Sequence, residues 1–166
     1  MEKIDLQQVY QCNSCLLYDA VNLPSVLSFI SSSPNTTTMS PKSIGTGIVI
    51  YHPSVWAVLL IRDTRTNLWS FPKGRAETWD RDLVDTAVRE TFEETGMVLH
   101  IHYRLLSRTM ESYDKTRLMY AEATTANLPF NYCIEQHVAE VAWIRVEDIP
   151  RLKGNHSLRA WTASHY

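Results

Sequence analysis

The sequence predicts an α/β fold in which a mixed β-sheet is sandwiched between α-helices. Three observations predict it. Two β-branched runs, IGTGIVIYH (Ile44–His52) and VWAVLLIRD (Val55–Asp63), flank a His-Pro turn and read as strands. Over residues 82–95 the apolar positions Val84, Ala87, Val88, Thr91 and Phe92 gather on one side at helical spacing. Strand patterns then return, and strands that mix with helices in this order build a sheet with helices on its faces.

Taken in order, residues 1–40 read as an N-terminal extension and linker and residues 41–166 as the main domain. SSSPNTTTMSPK (Ser31–Lys42) is polar and broken by proline, as loops and linkers are. The segment before it has apolar residues at helical spacing (Leu23, Val26, Leu27, Ile30). After the first two strands, TRTN turns the chain and LWSFP forms a short strand ended by Pro72 and Gly74. FPKGR (Phe71–Arg75) then places Gly74 in a turn leading to the helix. Asp82 suits the helix N-cap and Gly96 the position just past its end. Met97–Leu106, Arg117–Ala123 and Val138–Val146 complete the strands, and a short helix VEDIPRL precedes a C-terminal one, HSLRAWTASHY.

At 166 residues, with 45% hydrophobic and 20% charged residues, the chain has the composition of a globular domain. A formal charge of −2 gives no overall field for nucleic acid or an anionic membrane, so a polyanionic ligand needs local cations or a metal. The start, MEKIDLQQVY, lacks a basic segment followed by an apolar one, and VWAVLLI is far shorter than a membrane span. Three cysteines, including a lone CNSC at Cys12 and Cys15, fit reduced thiols. The expectation is an intracellular protein, cytoplasmic or nuclear, without membrane partners. Nothing in the pattern specifies an oligomeric state.

TAVRETFEETGM (Thr86–Met97) carries the chemistry. In a helix Glu90 neighbours both Glu93 and Glu94, and like charges at such spacings destabilise by roughly 0.2–0.5 kcal/mol per pair. A hard cation turns that repulsion into coordination, because Mg²⁺ or Mn²⁺ prefers carboxylate oxygens. The three acids fall beside the apolar stripe, at the edge of the buried face. Arg89, four positions before Glu93, can orient one of them. Gly74 offers a carbonyl to the same metal, and Lys73 and Arg75 beside it are phosphate-binding candidates.

GRAETWDRDLVDTAVRETFEETGM (Gly74–Met97) resembles the Nudix box, G-x5-E-x7-R-E-U-x-E-E-x-G-U with U apolar. RETFEETGM is the close part of the match, with Thr91 at a usually apolar position. The likeness spans most of residues 43–150 and implies a Nudix fold. One departure stands out: 14 residues separate Gly74 from Arg89, one more than the pattern has. The early acid is therefore out of register. Asp80 stands at the right distance from Gly74, counting back from Arg89 lands on Arg81, and Glu77 is a third candidate.

The resemblance implies Mg²⁺- or Mn²⁺-dependent hydrolysis of a phosphoanhydride, with Glu90, Glu93 and Glu94 binding metal and one of them acting as base. A glutamate beyond the box, Glu135 or Glu140, is a further candidate, with Glu140 as an additional metal ligand and His137 as a proton carrier. The box and FPKGR are similar to those of enzymes that cleave dinucleoside polyphosphates or diphosphoinositol polyphosphates. Such small-molecule substrates suit Lys73, Arg75, Arg62, Lys115 and Arg117, and a nucleobase would suit Tyr113 or Tyr120 as a platform. The alternatives are a Nudix-like module that binds a phosphorylated ligand without catalysis, an mRNA cap hydrolase, for which no basic stripe is evident, and a nucleotide-sugar hydrolase.

Overall fold

The first two strands are joined by a short turn at His52–Trp56. They are β1 (Gly45–Tyr51) and β2 (Ala57–Asp63), antiparallel with Tyr51 opposite Val58. This arrangement comes from a computed structural model that describes residues 44–128 and 136–165. The extension and linker at residues 1–40, with Cys12 and Cys15, lie outside the described residues. So do Cys133 and Glu135.

Short strands β3 (Trp69–Ser70) and β4 (Lys73–Arg75) follow, then α1 (Leu83–Thr95), β5 (Tyr103–Leu105), β6 (Glu111–Tyr113), β7 (Thr116–Ala123) and β8 (Val138–Arg145). A 3-10 turn (Val146–Arg151) leads to α2 (His156–His165). The strands form one eight-stranded sheet with the path β3-β2-β1-β7-β5, to which β4 adds at β1, β6 at β7 and β8 at β2. β1 runs parallel to β7 and every other pairing is antiparallel, so the sheet is mixed as predicted.

Alternation along the strands divides the core into two layers. Ile48, Ile50, Leu59, Met119 and Ala121 face α1 and meet Ala87. Val49, Val58, Leu60 and Leu118 face α2 and meet Leu158 and Trp161. Among the described residues, one helix therefore covers each face. No helix among the described residues is long and apolar enough to cross a membrane.

The helix carrying the acids begins and ends where its caps place it. The Asp82 carboxylate accepts from the Asp85 N–H, and Gly96 takes φ 70°, a left-handed conformation that costs glycine nothing. Its buried residues are Thr86, Ala87, Glu90, Thr91, Glu94 and Thr95. They lie on two adjacent lines of i, i+4 spacing, 86–90–94 and 87–91–95. The buried face is thus turned toward the glutamates relative to the apolar stripe, and Phe92 is only half-buried. Threonines tolerate that burial because their hydroxyls bond back to the helix: Thr91 Oγ1 donates to the Ala87 carbonyl at 2.8 Å.

Three local expectations need correction. Gly74 lies in β4, paired with Thr46 of β1, and not in a free turn. The strand expected over Met97–Leu106 shrinks to Tyr103–Leu105, because His102 Nδ1 accepts from the Val98 N–H at 2.9 Å and closes a turn, with His100 at φ 67°. The strand β6 was not anticipated. Its hairpin to β7 turns at Asp114, φ 54°, without the Gly that usually marks such turns.

Candidate active site

Arg89 organises the acidic helix. Its side chain is 11% exposed. Nε and Nη2 both donate to Asp80, each at 3.0 Å, and Nη2 donates again to the Arg75 carbonyl at 2.9 Å. Nη1 donates to Glu90 at 2.9 Å and to Glu93 at 2.7 Å. A guanidinium has five N–H donors, and these bonds use all of them. Burial disfavours its charge, but Asp80, Glu90 and Glu93 outweigh burial and keep it protonated.

Of the candidates for the early acid, Asp80 is the one that bonds Arg89. Its side chain is 1% exposed and, besides Arg89, accepts from Thr86 Oγ1 and the Glu77 N–H, both at 2.9 Å. Burial opposes its ionisation, yet these donors hold its pKa below the usual carboxylate range. Glu77 meets the network only through its backbone, and its side chain is exposed. The extra residue of the loop is absorbed between Asp80 and the helix.

Glu94 is 3% exposed. One oxygen accepts from the Lys73 N–H at 2.8 Å and the other lies 3.0 Å from His137 Nε2. Burial pushes its pKa up to about 7, helped by the charge of Glu90 and opposed by His137 and the Lys73 N–H. Glu90 is 8% exposed, and its carboxylate occupies the space that a Cβ on Gly74 would fill: that atom would stand 2.0 Å from Glu90 Cδ. Gly74 thus serves the cluster by its bare Cα.

Among the described residues no three His, Cys, Asp or Glu side chains converge as a metal site, since Arg89 draws Glu90 and Glu93 to itself. The donor set nonetheless suits a hard divalent cation. Three carboxylates lie on adjacent turns of one helix, two of them buried, and the cradle at Gly74 gives Glu90 room.

The other candidates are sorted by the sheet. Glu140 is opposite Arg62 in the β2–β8 register and accepts from its Nε at 3.0 Å and Nη2 at 2.8 Å. Both residues alternate with Leu60 and Ile144, on the α2 face. Glu140 is therefore not brought to the acids of α1, and Arg62, also bonded to Asn67 at 2.6 Å, is not an uncommitted phosphate-binding cation. Tyr113 is buried against α2 with its hydroxyl 2.7 Å from that of Tyr120, and both bond Glu111. That excludes Tyr113 as an open nucleobase platform.

Lys73 meets the cluster through its N–H, whereas its side chain starts on the opposite face of β4 from Gly74, beside Gly47. Arg75 alternates to the same side and is exposed. Lys115 is exposed in the β6–β7 turn. Arg117 alternates with Met119 and Ala121 on the α1 face and stands in register with Thr46, itself in register with Gly74. Of the five cations it is the one that the strand register sets in a row with Glu90. Thr46 itself was missed. Its hydroxyl is buried without a partner, a feature that only the packed structure reveals.

The NUDIX domain model matches residues 41–164. The chain is 28% identical over 117 residues to the mouse (Mus musculus) protein named nucleoside diphosphate-linked moiety X motif 6, covering 66% of this chain and 37% of that protein. It is 27% identical over 111 residues to Arabidopsis thaliana mRNA-decapping enzyme subunit 2, covering 63% and 28% respectively. The chain thus spans well under half the length of these curated relatives. A solved C. elegans Ap4A hydrolase binary complex shares the fold, with TM-score 0.56 and 20% identity over 73% of this chain and 97% of that one. With the domain match covering residues 41–164 of 166, the chain belongs to the Nudix family.

Proposed function

We propose that the chain is a metal-dependent Nudix pyrophosphohydrolase that cleaves a phosphoanhydride in a dinucleoside polyphosphate, such as diadenosine tetraphosphate, or in a diphosphoinositol polyphosphate. The observation that carries this reading is the pair of buried carboxylates, Glu90 and Glu94, one turn apart on α1 with Glu93 between them. Arg89 bonds Glu90 and Glu93 but not Glu94, and burying these acids side by side with Arg89 among them remains costly. Glu90, Glu93 and Glu94 would hold Mg²⁺ or Mn²⁺, which when bound would neutralise phosphate charge and lower the pKa of water.

The remaining tasks fall to the chain's own groups. Arg89 holds the Glu90 and Glu93 side chains in place before the substrate arrives, and Asp80 fixes Arg89. His137 and the Lys73 N–H orient Glu94. One of the three glutamates takes the proton of the attacking water. Arg117, on the α1 face and paired with none of the described carboxylates, binds substrate phosphate, with Lys115 nearby in sequence at the hairpin turn.

The relative named as a decapping enzyme supports a second reading, hydrolysis of the mRNA cap. One experiment separates the two. The protein is incubated with Mg²⁺ and with Mn²⁺ against diadenosine polyphosphates, diphosphoinositols, nucleotide sugars and capped RNA, and products are resolved by chromatography. Fastest turnover of a dinucleoside polyphosphate or diphosphoinositol supports the proposal. Preference for capped RNA replaces it with the second reading, and no turnover of any substrate removes the hydrolase reading altogether.

A further inference from the structure

Thr46 of β1 is 0% exposed, and its Oγ1 has no hydrogen-bond partner. A buried hydroxyl left in that state costs stability, and such a site invites a reason. Strand alternation puts Thr46 on the side of Ile48 and Ile50, the face covered by α1. Its register partner is Gly74, whose missing Cβ is replaced by the Glu90 carboxylate. Neighbouring strands lie about 4.8 Å apart, so the register sets Thr46 one strand spacing from the Gly74 position whose Cβ space the Glu90 carboxylate fills. Gly74 puts no side chain between them. At present Glu90 Oε1 accepts from Arg89 Nη1 instead.

Resting on the metal-dependent reading above, we propose that Thr46 is a positioning residue for Glu90. Its hydroxyl donates to the Glu90 carboxylate when that group turns from Arg89 toward a bound cation. A carboxylate that ligates a metal is typically steadied by a hydrogen bond on its other oxygen, and losing that partner weakens metal binding about 10–100-fold.

The test is Mn²⁺ binding to the full chain, followed by the electron paramagnetic resonance of free Mn²⁺, for the parent, Thr46→Val, Thr46→Ser and Glu90→Gln. Valine keeps the shape and removes the hydroxyl; serine keeps the hydroxyl. Thr46→Val should weaken binding about tenfold or more while Thr46→Ser stays close to the parent. The metal-free melting temperature of Thr46→Val should equal or exceed the parent's, because an unpartnered buried hydroxyl has been removed. If Thr46→Val binds Mn²⁺ like the parent while Glu90→Gln does not, the inference fails and the metal reading stands. If valine and serine weaken binding equally, Thr46 acts through packing and the inference fails. A parent that binds no better than Glu90→Gln overturns both.

Discussion

Asp80→Ala tests the arrangement on which the acidic helix depends. The substitution removes a carboxylate that is 1% exposed and receives two hydrogen bonds from Arg89, one from Thr86 and one from Glu77. Removing one partner of a buried ion pair costs about 3–5 kcal/mol, because the other charge stays buried. Arg89 keeps Glu90, Glu93 and the Arg75 carbonyl, so the lower end applies, about 3 kcal/mol. For a chain of this size that lowers the melting temperature by roughly 6–12 °C. Glu77→Ala, at an exposed side chain, should stay within about 0.5 kcal/mol of the parent.

The assay is thermal unfolding followed by circular dichroism across pH. The folded-state pKa of Asp80 lies below its ordinary 3.8, so its contribution is fully present above that value and is lost as pH falls through the folded pKa. The gap between parent and Asp80→Ala should be constant from pH 8 to about 5 and narrow below about 4. A loss under about 2 °C, or a gap that does not narrow in acid, would refute the reasoning.

Three further outcomes follow from the same geometry. Glu93→Gln and Glu94→Gln should each lower kcat at least ~100-fold on whichever substrate the screen selects, and activity within about threefold of the parent for both would sink the hydrolase reading. Gly74→Ala places a Cβ 2.0 Å from Glu90 Cδ and must displace that carboxylate, so Mn²⁺ binding measured by titration should weaken with little change at a distant surface control. Arg117→Ala should raise KM more for a substrate with four or five linked phosphates than for ADP-ribose, since a lost charged hydrogen bond costs about 1.5–3 kcal/mol. Equal losses would assign Arg117 to the common diphosphate or to the fold.

The helix and its caps were legible because their determinants are local. Asp82, Gly96 and a 3.6-residue period need no knowledge of the rest of the chain. The same holds for β1 and β2, whose β-branched runs fall within a residue or two of the observed strands, and for β7, expected at RLMYAEA and observed one residue longer. Local patterns failed where a side chain substituted for a ladder partner, as His102 does at the Val98 N–H. They also failed to choose among the cations. Arg62 and Arg117 look alike in sequence, and only the registers of β2 with β8 and β1 with β7 place one against Glu140 and the other in line with Thr46. Tyr113 is a similar case, for the β6–β7 pairing turns its ring into the α2 layer.

The charge problem of the helix also has a structural resolution that its sequence only half discloses. Glu90 and Glu93 are both held by a single nitrogen of Arg89, Nη1, whereas Nε and Nη2 are committed to Asp80 and the Arg75 carbonyl. Three of the five donors therefore keep the guanidinium fixed and neutralised by groups outside the proposed metal-binding set. If the two glutamates turn toward a cation, Arg89 loses only the contacts of Nη1 and still faces the buried Asp80 carboxylate. Without Asp80, the same movement would strand a buried guanidinium, and its cost would be charged against metal affinity. Asp80→Ala should therefore weaken Mn²⁺ binding as well as stability, while Glu77→Ala changes neither. A variant that lost stability and bound Mn²⁺ like the parent would show that Arg89 does not need this anchor when the glutamates leave it.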